Sequence, residues 1–428
     1  MSEAPAKSDS RSAESQSAGH VTVCPEGLRI RGKEDIMAFM RNVLVLYGGV
    51  STEHEVSIVT ALQVMHALKG AGHKVMPIYV SKSGEWYMGG DKFLEPSFYQ
   101  NLNNPVKDGK RVVLPPDREL KLLGKGMMGF GGVAEEIEVV FPVFHGKNGE
   151  DGTMQGLVEL TGLPLVGCGV GASALGMDKY LAKRVAKDLG IEVVEDVLVS
   201  EEEWGVNKKG LLSEIDKMGS DVFVKPNSLG SSIGITRAKS KSELVNAIEV
   251  ALAYDSRVLV EKAVKNMVEV NISIKGNDPY QVSITEQPLT SGEVLSFEDK
   301  YIKPGVKKSG KTHGMAAADR LMPARVDKTI IKAVEEAAVR FFRAIGGKGI
   351  ARVDFMYDGK RLYFNEINTM PGSLAFYLWE KTGVKFDKLV DELVELAVSD
   401  WQKKQKKVTT FESNILSGFA KGGVKGGA

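Results

Sequence analysis

One segment, GIARVDFMYDGKRLYFNEINTMPG from Gly349 to Gly372, constrains this chain more than any other. Polar and apolar residues alternate on both sides of Asp358-Gly359, which reads as two strands joined by a turn. Residues two apart in a strand share a face, so Arg352 lies with Asp354 and Glu366 lies with Asn368. Whether the two pairs meet depends on the parity of the turn. A two-residue loop puts Asp354 and Glu366 on opposite faces, and an odd-length loop puts them on one. Two carboxylates and an amide on one face form the oxygen-rich set that a hard cation such as Mg²⁺ takes, with phosphates beside it. That reading predicts an odd or bulged connection. The competing reading is a surface hairpin with solvated charges, because alternation describes any half-exposed strand.

At 428 residues the chain has room for about two to three domains. Its 56 basic and 55 acidic residues leave a net charge of +1, with no footprint for nucleic acid or an anionic membrane. No apolar run reaches the roughly 18 to 20 residues that a bilayer-crossing helix needs. Cys24 and Cys168 make neither a disulfide framework nor a metal knuckle, which fits a reducing cytoplasm. Residues 1–40 are rich in Ser, Ala, Glu and Lys, lack the apolar core of a secretory signal, and read as a disordered extension. Residues 403–428, rich in Lys and Gly, read as a flexible tail.

Between these ends the pattern changes twice. Arg41 to Val80 reads strand, helix, strand: VLVLY suits a buried parallel strand, Gly48-Gly49 a tight turn, and Thr52 with Glu55 a capping box. A second α/β unit follows, with strand EIEVVFPVF, the loop HGKNGEDG, helix TMQGLVELTG and strand LPLVG. The middle region sets helix MDKYLAKRVAKDLG among the strands VVEDVLVS, DVFVKP, IGITRA and RVLVEKAV, without regular βαβ alternation. The last region has strands EVNISIKG, PYQVSITEQ, GIARVDFMY and RLYFNEI, and helices DKTIIKAVEEAAVRFFRAIG and FDKLVDELVELAVSDWQ. Between its parts runs a long polar segment, Ser291 to Ala324, of the kind that serves as a functional lid or is disordered.

Several short patterns carry chemistry. In VKPNSLGSSIG, Gly230, Ser231, Ser232 and Gly234 join two strands and offer N–H groups and hydroxyls to a phosphate chain, although such a loop is more often only a turn. Lys225 ends the strand before it. The string GVKKSGKT (Gly305 to Thr312) matches a P-loop in letters, but the polar KYIK and Pro304 precede it where a buried strand is required. The P-loop fold is rejected. Lys179 and Lys183 share a helix face, for which a solvated basic stripe is the default reading. Glu261 and Lys262 end a strand, Glu53 and Glu55 open a helix, and His145 sits in a loop.

The order of these motifs is decisive. GGVSTEHEVS, FPVFHGKNGEDGTMQGLVEL, SALGMDKYLAK, VKPNSLGSSIG, FEDKY, RVDFMYDG and NEINTMPG resemble, in sequence order, the D-alanine–D-alanine ligases of the ATP-grasp superfamily, over about Arg41 to Trp401. The resemblance implies a mixed α/β and α+β chain of three domains: a Rossmann-like N-terminal domain (41–165), a central subdomain (166–262) and a C-terminal catalytic domain (263–402) with a lid at 291–324. The central and C-terminal sheets would clamp ATP. It implies ligation of two D-alanines for peptidoglycan precursors, through an acyl phosphate, by a cytoplasmic homodimer.

The resemblance also assigns roles. Asp354, Glu366 and Asn368 would hold two Mg²⁺ or Mn²⁺ ions, and Lys179, Lys225 and Lys300 would contact ATP phosphates beside Ser231 and Ser232. Glu261, Lys262 and the backbone near Ala263 would face adenine, with Glu269 on the ribose. Glu53 would take the first substrate's ammonium near His145. Arg352 and the Gly372 N–H would form an oxyanion site, and Ser231 with Tyr301 would close a link near the second amine. Ser373 is the hydroxyl closest to that glycine. Two features depart from the pattern. SLAFYLWE places Tyr377 where the family's serine would help hold the second substrate's carboxylate, leaving open D-alanine, D-serine, D-lactate or another acceptor. The lid is also longer, by about Gly305 to Asp319, although Lys300-Tyr301 looks like the amine-accepting ligases.

Overall fold

The computed structural model describes residues 40–116, 121–126, 129–289 and 319–413. Cys24, Lys300, Tyr301, the P-loop-like string and most of the proposed lid lie outside them.

Three sheets account for the three regions. The first has the order β6-β5-β4-β3-β2-β1-β7, with β1 at Asn42–Gly48, β2 at Lys74–Val80, β3 at Trp86–Met88, β4 at Lys110–Val113, β5 at Lys121–Gly126, β6 at Gly129–Glu136 and β7 at Val139–Pro142. β1 runs parallel to both β2 and β7, and its Val43 to Tyr47 are fully buried, as an uninterrupted apolar run requires. At Gly48 the chain turns with φ of 91°, and a Cβ there would stand 2.3 Å from the Val80 carbonyl. Only glycine fits.

The sequence reading needs correction in three places here. The helix is His54–Gly70, with Glu53 at its N-cap and no side-chain cap. Glu55 turns instead to Lys82, 3.0 Å away, so the Thr52 capping box does not form. The expected strand Glu136–Phe144 is divided between β6 and β7, and LPLVG makes a single bridge, Val140 to Leu165. The antiparallel extension β3 to β6 was not read from the sequence. β3 has three residues and β5 and β6 carry five glycines, so neither gives a clear period of two.

The second sheet, β10-β9-β11-β8, contains β8 (Asp196–Ser200), β9 (Val222–Pro226), β10 (Thr236–Ala238) and β11 (Arg257–Lys262). All its neighbours are antiparallel. Helices Glu201–Asp216 and Lys241–Leu252 cover one face with a core including Trp204, Leu211, Ile248, Val224 and Val258. Burying each large apolar side chain contributes roughly 1.5 to 3 kcal/mol before the entropy of ordering.

The third sheet, β14-β13-β12-β15-β16, contains β12 (Val268–Gly276), β13 (Tyr280–Pro288), β14 (Arg320–Leu321), β15 (Gly349–Tyr357) and β16 (Leu362–Asn368). It too is antiparallel throughout. Helices Lys179–Asp188 and Lys328–Ala344 supply its core with Ala182, Ala186, Phe341 and Phe342. Helix Phe386–Gln405 packs instead with the first sheet and its helix, through Leu389, Leu393 and Val394.

The decisive hairpin is β15–β16. Tyr357 pairs with Leu362 around a four-residue loop, Asp358 to Arg361, an even number. A bulge then shifts the register: Phe355 pairs with Phe364, but Asp354 pairs with Glu366, leaving Asn365 over. One inserted residue restores the parity that the loop removes. Asp354 and Glu366 therefore share a face, and Arg352 opposes Asn368 on that face.

Candidate active site

The shared face gathers its charges tightly. The Arg352 guanidinium forks onto Asp354, with Nε to Oδ1 and Nη2 to Oδ2 both at 2.7 Å, and Asn368 Nδ2 donates to Asp354 Oδ2 at 3.2 Å. Both partners of the fork are buried. Burial opposes the charge on Arg352, but Asp354 outweighs it and raises the arginine's affinity for its proton. The row continues across the sheet: Glu366 opposes Asp354, Asp354 opposes Asn271, and Asn271 opposes Glu286.

Lysines come to this face from the second region. Lys179 opens helix Lys179–Asp188 behind the Asp178 N-cap. Its Nζ lies 3.4 Å from Glu366 Oε2 and donates to the Leu229 carbonyl at 2.5 Å. The glycine-rich loop is thus tied to the hairpin. Lys225 contacts the bulge residue Asn365 at 3.4 Å and Glu261 Oε2 at 2.6 Å.

Beside them Glu53, at the head of helix His54–Gly70, is buried and accepts a hydrogen bond from Ser231 Oγ. The loop can approach because residue 230 is glycine: a Cβ there would stand 2.9 Å from Glu53 Oε2. Ser231 and Ser232 take left-handed backbone, with φ of 53° and 60°. His145 meets Thr60 Oγ1 at 2.9 Å through Nε2 and lies 3.8 Å from Glu150 through Nδ1. Burial lowers its proton affinity, but the hydrogen bond and charge of Glu150, with Glu53, reverse the sign and raise it. One pocket is lined by Glu53, His145, Lys179, Ser231, Arg352, Glu366, Asn368 and Gly372.

Other residues are placed differently. Glu261 is buried, one oxygen 2.6 Å from Lys183 and the other 2.6 Å from Lys225. Its own burial pushes toward the neutral acid, yet the two lysines hold its pKa at about 2. Lys183, read as part of a solvated stripe, is fully buried; it faces inward beside Ala182 and Ala186. Lys262 is exposed, pairs with Glu195 at 3.3 Å and lines a separate cleft of about 620 Å³. Glu269 accepts from Asn271 at 3.0 Å. Ser373 is buried in left-handed backbone, its N–H donating to Thr60 Oγ1 at 3.3 Å. Sequence reading missed Thr60, Glu150 and Asn365. Glu150 and Asn365 lay inside quoted motifs without being singled out, and Thr60 lay in none.

The donor set suits Mg²⁺ in kind. Among the described residues no three His, Cys, Asp or Glu side chains gather at a metal-binding spacing. Mg²⁺ usually takes only one or two protein carboxylates and completes its shell with phosphate and water. Asp354 and Glu366 supply two, Asn368 an amide oxygen, and the oxygens that Arg352 engages each have further lone pairs.

Two family models cover the chain: D-ala D-ala ligase N-terminus over residues 42–168 and D-ala D-ala ligase C-terminus over 185–395. The chain belongs to the D-alanine–D-alanine ligase family. Its relatives include the D-alanine–D-alanine ligases of Caldicellulosiruptor bescii, 38% identical over 85% of this chain and 96% of that protein, and of Thermosipho melanesiensis, 35% identical over 88% and 98%. Among solved structures, the VanG D-Ala:D-Ser ligase of Enterococcus faecalis superposes with a TM-score of 0.69 at 32% identity, covering 84% of this chain and all of that one. The Coxiella burnetii D-alanine–D-alanine ligase gives 0.69 at 27% identity, over 86% and 97%. The three sheets are those of a three-domain ATP-grasp ligase. No helix among the described residues is long and apolar enough to cross a membrane.

Proposed function

We propose that this chain joins two D-alanines at the expense of ATP, through an acyl phosphate, to supply D-alanyl-D-alanine for the cell wall. The observation that carries the reading is the single pocket in which Glu53, Lys179, Ser231, Arg352, Glu366, Asn368 and Gly372 meet.

The first D-alanine binds with its ammonium at Glu53 and near His145, and its carboxylate toward Arg352. Lys179, Lys225, Lys300, Ser231 and Ser232 hold the phosphate chain, while Glu261, Lys262 and Glu269 serve the nucleoside end. Asp354, Glu366 and Asn368 would hold two divalent cations, whose charge would offset the repulsion between the triphosphate and the attacking carboxylate. The donor carboxylate displaces ADP from the γ-phosphate, and the second amine then displaces phosphate from the acyl carbon. Arg352 and the Gly372 N–H stabilise the oxyanion formed between those events. Ser231 stands near the proton that the amine loses, a role the family resemblance also gives to Tyr301, and Ser373 near the acceptor carboxylate. The enzyme acts as a cytoplasmic homodimer.

Phosphate release and product mass spectra test this, with D-alanine alone and with D-serine or D-lactate added. D-Alanyl-D-alanine is the expected product from D-alanine alone. No D-alanine-dependent turnover with any partner would refute the assignment. D-Serine as acceptor is the second reading, favoured by Tyr377 in place of the expected serine, and the same spectra separate the two.

A further inference from the structure

An oxyanion donor works best when it is aimed before the charge appears, so whatever fixes the donor matters as much as the donor itself. On the function proposed above, on which this inference rests, the Gly372 N–H and Arg352 receive the charge formed when the amine adds to the acyl carbon. Gly372 opens a strained turn. Ser373, Leu374 and Ala375 follow it with φ of 54°, 50° and 48°, three left-handed residues in a row that each carry a Cβ. Such backbone is unfavourable for L-residues and persists only where its surroundings over-determine it.

Two hydrogen bonds hold the peptide planes on either side of Gly372. The Leu374 N–H donates to the Pro371 carbonyl at 2.8 Å. A trans peptide is planar and its N–H points opposite to its carbonyl, so this bond sets the direction of the Gly372 N–H. The Ser373 N–H donates to Thr60 Oγ1 at 3.3 Å, which fixes the next plane from outside the turn. Leu374 is also buried in one core with Ile58 and Leu62 of the helix that carries Thr60. Thr60 is itself held: it is 1% exposed, and Nε2 of the buried His145 stands 2.9 Å from its hydroxyl. Whichever of the two donates, Thr60 Oγ1 keeps a lone pair for the Ser373 N–H, because a hydroxyl oxygen has two.

The same helix has Glu53 at its N-cap. Glu53 and Thr60 are seven residues apart, about two turns, and so share a face. One rigid element thus sets the ammonium site relative to the turn that receives the oxyanion. We propose that Thr60 is a positioning residue for the ligation step: its hydroxyl, steadied by His145, holds the Ser373 peptide so that the Gly372 N–H stays aimed at the acyl oxygen. Thr60 acts through the turn, behind a pocket wall that includes Glu53, His145 and Gly372. Without the hydroxyl, the buried Ser373 N–H loses its partner and the plane beside the donor loosens. A misplacement of about 1 Å in such a site lowers the rate on the order of 100-fold.

The test uses the full chain with ATP, Mg²⁺ and D-alanine, and follows phosphate release. Thr60→Val keeps the shape of the side chain and removes the hydroxyl. It should lower kcat on the order of 10- to 100-fold with KM for ATP and D-alanine near wild type, and Thr60→Ser should recover most of the rate. Two inhibitors separate lost aim from general damage. A phosphinate analogue of D-alanyl-D-alanine, tetrahedral at the position of the acyl carbon, should bind Thr60→Val more weakly by about the factor lost in kcat. D-Alanyl-D-alanine itself, planar at that carbon, should bind within about twofold of its wild-type affinity. Equal weakening of both inhibitors, or an undiminished phosphinate affinity, would overturn the proposal. So would an unchanged kcat in folded Thr60→Val, or a Thr60→Ser variant as slow as the valine one. A further measurement needs no variant: the wild-type Ser373 N–H should be strongly protected from hydrogen exchange, and exchange at the rate of an exposed loop would also overturn the proposal. A wild-type chain that makes no D-alanine dipeptide would instead overturn the function beneath it.

Discussion

Glu261 and Glu366 both sit against lysines, yet they belong to different kinds of site. Glu261 is fully enclosed, with Lys183 on one oxygen and Lys225 on the other. Glu366 is 26% exposed at its side chain, meets Lys179 at 3.4 Å and opens on the pocket. A closed cluster satisfies its charges within the protein and ties three elements together: helix Lys179–Asp188, β9 and β11. An open cluster of Asp354, Glu366 and Asn368 leaves capacity for charge brought from outside. Both acids are paired, and what separates them is that lysines take both oxygens of Glu261 whereas Glu366 opens on the pocket.

Mutating the two acids should break the comparison most visibly. Glu366→Ala should lower turnover on the order of 10³-fold, measured by phosphate release, while the thermal unfolding midpoint stays near wild type. Large residual activity would remove Glu366 from the metal set. Lys183→Met should do the reverse. Removing one partner of a buried pair costs roughly 3 to 5 kcal/mol, read from urea unfolding, although Lys225 remains to moderate it. An unchanged unfolding midpoint would show that Lys183 is not a structural tie.

The pH dependences sharpen the same contrast. Glu261 is depressed from 4.5 to about 2, so its contribution to stability is complete above 4.5 and is lost as pH falls through about 2. Glu261→Gln should flatten the stability curve in that window, as judged by denaturant unfolding at a series of pH values. The smallest effect concerns His145. Its raised pKa contributes stability that is present below 6.5 and disappears as pH climbs through the folded value. Glu150→Gln should lower the His145 titration seen by NMR, and no movement would remove Glu150 as the cause.

Much of the open site was legible because its signals are local. Arg352, Asp354, Glu366 and Asn368 lie on one hairpin, and parity alone demanded an odd or bulged connection. The form of the answer was not legible, since nothing in DGKR announces an even loop corrected at Asn365. Caps were misread in both directions. Thr52 with Glu55 matched the pattern and made no cap, whereas Ser200 and Ser240 accept from the N–H groups of Glu203 and Glu243 and open two helices that went unread. In Glu201–Asp216 two glycines and a kink at Asn207 obscure the period. The closed cluster and the fastening of Ser373 by Thr60 were invisible for a different reason. Thr60 meets His145 across 85 residues and Ser373 across 313, and a contact of that range leaves no local pattern.

The central claim is that the β15–β16 face receives the phosphates and their cations. A crystal structure with ADP, Mg²⁺ and a phosphorylated dipeptide mimic tests it most directly. The account predicts Mg²⁺ at roughly 2.0 to 2.1 Å from oxygens of Asp354, Glu366 and Asn368, with Lys179 on phosphate. Cations bound elsewhere, with those side chains turned from the nucleotide, would contradict it.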